Sequence, residues 1–335
     1  MGELSLFGLQ FDYNVCYIEN RRWNIEEGMK VVKLLKGVCE TVLVIGIIIG
    51  GIFAIYHYIL PDKWISYIEE TLTSVKNDVG IYEDSGITGD EYTFDTTYYP
   101  YYGYLSDDAK VLYRQIYANA LELETSFVPA IEITVSEVIN VINAVYHDHP
   151  ELFWMESGYT YKYTEDNICV HVALNFNETV NYIEEAKAQF EAKANAIIDG
   201  ASSLITDYEK EKYVYKMLMD CVEYDENAEL HQSPYSALVY GKSVCAGYAR
   251  AFQYIMLELE IPTYYCTGET QGHAWNIVKL DGGYYNVDVS RADTKSSPER
   301  YFNRTDEDLK GTHKRSGYST ILPKCRAKTY EGMED

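Results

Sequence analysis

The chain has 335 residues, 47% hydrophobic and 24% charged, enough to bury a sizeable core and to make about two domains of roughly 150 residues each. Its formal net charge is -24, from 28 Lys and Arg against 52 Asp and Glu. Such a surface repels phosphate backbones, which argues against nucleic acid as a partner, and the composition is neither disordered nor collagen-like.

Residues 1–40 read as a cytoplasmic tail. Residues 41–60, TVLVIGIIIGGIFAIYHYIL, contain no Asp, Glu, Lys or Arg and have about the ~20-residue length of a transmembrane helix. A buried core helix would usually carry a polar stripe, and a cleaved leader would not follow some forty residues or end at Tyr56-His57-Tyr58. One membrane span is therefore expected. Arg21, Arg22, Lys30, Lys33 and Lys36 precede it and only Lys63 closely follows it, which places the N-terminus in the cytoplasm and the rest outside the cell membrane. Of the seven cysteines, Cys16 and Cys39 precede or flank the span, and Cys169, Cys221, Cys245, Cys266 and Cys325 follow it. Two readings stand: up to two disulfides with Cys245 left as a free thiol, or five buried free cysteines.

Residues 61–104 form a polar membrane-proximal spacer with Tyr98, Tyr99, Tyr101, Tyr102 and Tyr104 around Pro100. These rings are either a glycan- or peptide-binding stripe or cover for a neighbouring face. Residues 105–176 are expected to be a small α+β domain. It holds a helix started by Ser106-Asp107-Asp108, a second at about 135–146 ending near His149-Pro150, and a hairpin over 154–175 turning at Glu165-Asp166-Asn167. Residues 177–206 read as a connecting helix stopped at Gly200, and 207–330 as the catalytic domain, opening with a helix over 207–224. Asn177 and Asn303 fall in short glycosylation patterns of the kind that recur by chance. No repeat or low-complexity segment is present, which excludes solenoids.

The chemistry gathers late in the chain. Ser243 is the expected N-cap of a helix running to about Glu260, with Cys245 in its first turn. There, unpaired backbone N–H groups and the positive end of the helix dipole favour a thiolate. Ala246, Gly247 and Ala249 keep that turn narrow, while Ala251, Phe252, Ile255, Met256 and Leu259 form the buried side. A strand over 263–267 and a Gly-rich loop lead to His273. Strands over 274–280 and 284–289 are joined at Asp281-Gly282, a type I′ turn signal. Pairing Leu280 with Gly283 sets Asp288 opposite Trp275 and makes it a diagonal neighbour of His273.

Cys245, His273 and Asp288 thus read as nucleophile, general base and orienting carboxylate. The Cys245 N–H is the first oxyanion donor, with Gln232 and Tyr235 as candidates for a second. His313, in a charged stretch, is expected to be solvated. No zinc or calcium ligand spacing occurs, so no metal or other cofactor is expected.

The motifs GKSVCAGYARAF, GHAWNIVKLDGGYYNVDVS and RYFNRTDEDL give residues 207–328 a resemblance to the transglutaminase-like superfamily of papain-type folds, especially membrane-anchored bacterial members. The resemblance implies an α+β core in which a nucleophile helix packs on an antiparallel sheet, with catalytic positions at Cys245, His273 and Asp288. Where similar relatives have Thr-Trp and acidic residues, this chain has Ser290-Arg291-Ala292-Asp293. Arg291, with Trp275, is accordingly a candidate for shaping the substrate pocket. The expected function is a surface-displayed thiol enzyme acting on amide bonds of peptides or proteins, as protease, amidase or transglutaminase-type acyltransferase. The alternative is a non-catalytic, membrane-anchored peptide- or wall-binding module.

Overall fold

The computed structural model describes residues 87–269, 272–294 and 298–332. The expected tail, the membrane span and most of the spacer lie outside the described residues. Among those described, no helix is long and apolar enough to cross a membrane.

Helix α1 (Pro100–Gly103) is a single turn, and α2 (Asp107–Leu121) begins where expected, with the Ser106 hydroxyl accepting from the Ala109 N–H. Strand β1 (Ser126–Phe127) precedes α3 (Val135–Asp148), whose Thr134 and Glu137 satisfy each other's backbone N–H groups in a capping box. The hairpin β2 (Met155–Tyr163) and β3 (Cys169–Phe176) turns through Asn167 at φ 62°, and β1 pairs antiparallel with β3 on the side away from β2. A 3-10 turn at Glu178–Tyr182 opens α4 (Ile183–Ser202), and α5 (Asp207–Cys221) follows with a second capping box from Thr206 and Glu209. Gly200 lies inside α4 and does not end it: the helix runs on to Ser202.

Short parallel strands β4 (Glu223–Tyr224) and β5 (Lys242–Ser243) bring the chain to α6 (Cys245–Glu258). A three-stranded antiparallel sheet follows, β6 (Thr263–Thr267), β7 (Ala274–Leu280) and β8 (Gly283–Val287), with β7 in the middle. Asp281 and Gly282 both take positive φ, 46° and 79°, as a type I′ turn requires. The register is the expected one from Leu280 opposite Gly283 to Asn276 opposite Val287. The strand stops two residues earlier than expected. Asp288 becomes the N-cap of a short helix, α7 (Val289–Asp293), because its carboxylate accepts the Arg291 N–H and turns the backbone away from the ladder.

Helix α6 is buried on most of its circumference, as a helix enclosed by other elements must be. Phe252, Ile255 and Met256 are fully buried, each stabilising by roughly 1.5–3 kcal/mol. One hydrophobic core joins α2, α3 and the first hairpin to α4, α5, α6 and the second sheet. Polar links reinforce that continuity. The buried Arg250 of α6 donates to the Tyr146 carbonyl and, at 3.2 Å, to that of His149, while Gln253 donates to the His147 carbonyl at 2.9 Å. These groups satisfy carbonyls that the end of α3 leaves without helical partners. Two units expected as separate domains therefore share a packed interior.

The tyrosines around Pro100 mainly cover this core. Tyr101 is fully buried, its hydroxyl donating to the Tyr265 carbonyl at 2.7 Å, and Tyr98 reaches the Glu260 carbonyl; Tyr104 alone of the five is largely exposed. Asn177 and Asn303 are both buried, with side-chain amides donating to the Phe153 carbonyl and to Glu211, so neither is accessible to a glycan. Cys169, Cys221, Cys245, Cys266 and Cys325 are all free thiols.

Candidate active site

Cys245 is the first residue of α6, so its N–H has no acceptor within the helix. The expected Ser243 cap is displaced. Val244 occupies the N-cap position, and Ser243 lies in β5 with its hydroxyl donating to the His231 carbonyl at 2.5 Å. Small side chains surround the half-buried thiol: Ala246 and Ala249 from its own helix and Ala274 from β7, beside Tyr265. Gly247 is required by space, since a Cβ there would lie 1.9 Å from the Ser243 hydroxyl and 2.8 Å from the Ser233 carbonyl.

His273 precedes β7 and is buried. Its Nε2 donates to Asp288 Oδ2 at 2.6 Å, and the Cys245 thiol lies near enough to the same ring to help raise its pKa. With Nε2 engaged, Nδ1 is the nitrogen left for the thiol. Asp288 receives four hydrogen bonds. Ser290 Oγ and the Arg291 N–H donate to Oδ1, at 2.8 and 2.9 Å, and His273 and His313 donate to Oδ2, the latter at 2.8 Å.

Charge balance follows from this geometry. Burial alone would push the Asp288 carboxyl up, but the charge and hydrogen bond of His273, joined by the hydrogen bond from His313, hold it far below the usual carboxylate range. Burial would likewise depress His273. The Asp288 charge and hydrogen bond, with a contribution from Cys245, overcome it and raise the imidazole to about 9. His273 is therefore suited to carry a proton beside a thiol at neutral pH.

Three expectations change here. His313 is buried rather than solvated, and its Nδ1 accepts from the Thr312 hydroxyl at 2.8 Å. Trp275 is not an open pocket wall: it is 1% exposed, stacked on His273 with ring centroids 6.0 Å apart, and its Nε1 donates to Asn286. Arg291 turns toward the dyad, its Nε 3.2 Å from His273 Nε2 and 3.7 Å from Asp288 Oδ2. Because Nε2 carries the proton given to Asp288, the guanidinium acts on the carboxylate rather than as a donor to the imidazole.

The second oxyanion donor is narrowed. The Tyr235 hydroxyl donates to Gln189 at 2.7 Å and its N–H to the Ser233 hydroxyl, so both are already committed. Gln232 lines a cleft of about 380 Å³ with Tyr146, Met155, Glu156, Asn177 and His231. Its neighbour His231 accepts the Val244 N–H at 3.1 Å, which places Gln232 beside the first turn of α6.

His273, Asp288 and His313 offer ligand atoms within 4.8 Å of one another. Both Nε2 atoms hold the protons donated to Asp288 Oδ2, and Arg291 already balances that carboxylate, so the trio fits a hydrogen-bonded relay better than a metal centre. No reading of adjacent residues reveals His313, forty positions after His273. Ser290 does have a local signal, as the second residue after an N-cap Asp.

A model of the Transglutaminase-like superfamily matches residues 191–289, a stretch containing Cys245, His273 and Asp288. Among solved structures, the chain is similar to a crystal structure of a TGase at 14% identity, over 49% of this chain and 50% of that one, with a TM-score of 0.29. It is also similar to a candidate cysteine protease from Cytophaga hutchinsonii at 15% identity, over 40% of this chain and 62% of that one, with a TM-score of 0.27. The chain thus spans half of the first and under two thirds of the second. No curated protein matches. The chain thus carries a transglutaminase-like domain over residues 191–289.

Proposed function

We propose that this chain is a thiol enzyme that cleaves or exchanges amide bonds of peptides or proteins through Cys245, His273 and Asp288. The observation that carries the reading is one imidazole held between a helix N-terminal thiol and a buried, fully hydrogen-bonded carboxylate. In the forward step the Cys245 proton passes to His273 Nδ1 and the sulfur attacks the amide carbon. The C–N bond then breaks, and the proton moves from the imidazolium to the departing amine, leaving a thioester. The Cys245 N–H is positioned to stabilise the oxyanion, with Gln232 as the second donor. Water or an amine, deprotonated by His273, releases the acyl group. Water at about 55 M favours hydrolysis unless the cleft excludes it. The apolar run at 41–60 and the basic residues before it support a single-pass anchor, with this site displayed outside the cell membrane.

The test is to incubate the full chain, in detergent, with a glutamine-containing peptide and a labelled amine, and to look for ammonia, cut peptide or conjugate. Turnover that Cys245→Ala abolishes is the expected result. Full turnover in that variant would remove Cys245 as nucleophile. Tight peptide binding without turnover in either protein would favour a binding module.

A further inference from the structure

We infer that His313 is a positioning residue of the proposed thiol site, acting through Asp288. By donating its Nε2 proton to the oxygen that His273 also uses, it weakens the carboxylate's hold on the imidazolium, so that His273 can return the proton it takes up. The inference rests on the Cys245–His273 reading and adds a residue to it.

The geometry is specific. Two N–H groups converge on Asp288 Oδ2, from His273 at 2.6 Å and from His313 at 2.8 Å. The His313 side chain is 1% exposed, so water does not share this task. Its orientation is fixed from three sides. The Thr312 hydroxyl donates to Nδ1 at 2.8 Å, which leaves the proton on Nε2, and Trp275 meets the ring edge-on at 4.9 Å and 78°. The His273 ring lies 5.3 Å away at 83°.

His313 is kept neutral. Burial depresses it, Asp288 opposes that effect, and His273 and Arg291 add to the depression. A neutral imidazole presents Asp288 with a dipole rather than a second full charge. Among the described residues, the other charged or titratable groups facing this cluster are Arg291, 3.7 Å from Oδ2, the Cys245 thiol, and the Tyr301 ring, 6.2 Å from His313. Tyr215 of α5 and Tyr224 of β4 also feel the Asp288 charge.

General acid–base catalysis needs His273 to gain and then lose a proton within one cycle. A carboxylate that gave all of its charge to His273 would make the imidazolium a poor acid toward the leaving amine. Sharing Oδ2 with a neutral donor lowers that cost without protonating Asp288.

The experiment is the pH dependence of Cys245 alkylation by iodoacetate in the full chain in detergent, read by peptide mass spectrometry. An anionic reagent reacts faster with a thiolate beside an imidazolium, so the rate falls as His273 loses its proton. In the wild type this alkaline limb is expected near 9. In His313→Phe it should move up by about one pH unit, and in His313→Gln, which keeps an N–H donor, it should stay near the wild-type position. An unmoved or lowered limb in His313→Phe overturns the inference and leaves the Cys245–His273 pair intact. A wild type with no alkaline limb removes that pair itself. If His313→Phe does not fold, ¹⁵N spectra of the histidines in the wild type decide. His313 neutral with its proton on Nε2 from about pH 7 to 9 supports the inference, and a charged ring or an Nδ1–H tautomer in that range overturns it.

Discussion

Glu211→Gln should stabilise the protein, increasingly so as pH rises. Glu211 lies on α5, fully buried, with Oε2 accepting from Asn303 Nδ2 at 2.8 Å. Its Oε1 and Asn303 Oδ1 have no other partner. A carboxylic acid completes the pair by donating from Oε1 to the amide oxygen, whereas a carboxylate would set two acceptors against each other in the core. Burial pushes this carboxyl from 4.5 up to about 8, opposed only by the Asn303 hydrogen bond.

The sign follows from the proton count. Between about 4.5 and 8 the folded chain keeps a proton that the unfolded chain releases, so this group's stabilisation is complete below about 4.5 and declines as pH rises toward about 8. At pH 7 the interval is about 2.5 units, a loss of about 3 kcal/mol at ~1.36 kcal/mol per unit. Gln reproduces both hydrogen bonds with no proton to lose. Urea unfolding of both proteins across this range, followed by tryptophan fluorescence, should give nearly equal stabilities near pH 4.5, with the variant ahead by about 3 kcal/mol at pH 7. A pH-independent difference, or a less stable variant at pH 7, would refute a neutral Glu211.

Gly247→Ala should lower stability by about 1–3 kcal/mol and disturb the start of α6, because the added methyl meets the Ser243 hydroxyl and the Ser233 carbonyl; chemical denaturation, with Cys245 alkylation alongside, checks both effects. Asp288→Asn removes the charge that holds His273 up at about 9. Iodoacetamide labelling of Cys245 at about pH 6 should then slow by on the order of 10²-fold; unchanged labelling would deny Asp288 its role. Arg250→Met leaves the Tyr146 and His149 carbonyls unpaired inside the core and should cost about 3 kcal/mol of unfolding free energy, which a denaturant midpoint will show.

Local sequence determined the parts that local chemistry governs. Asp281-Gly282 fixed the turn type and hence the register that brings Asp288 to His273, since a strand alternates its faces with period two. Ser106-Asp107-Asp108 marked the start of α2, and the small residues after Cys245 marked a narrow first turn for α6. Local reasoning went astray where a distant partner intervened. Ser243 has the chemistry of a helix cap, yet the His231 carbonyl claims its hydroxyl. Tyr235 could have aimed at the thiol, but Gln189 on another helix takes its proton. His313 looked solvated among charged neighbours until the chain folded it against Asp288, and nothing local marks Arg250 or Glu211 as buried. Each of these fates depends on which group arrives from elsewhere in the chain. A buried polar atom must be satisfied there, and only the tertiary structure decides by what.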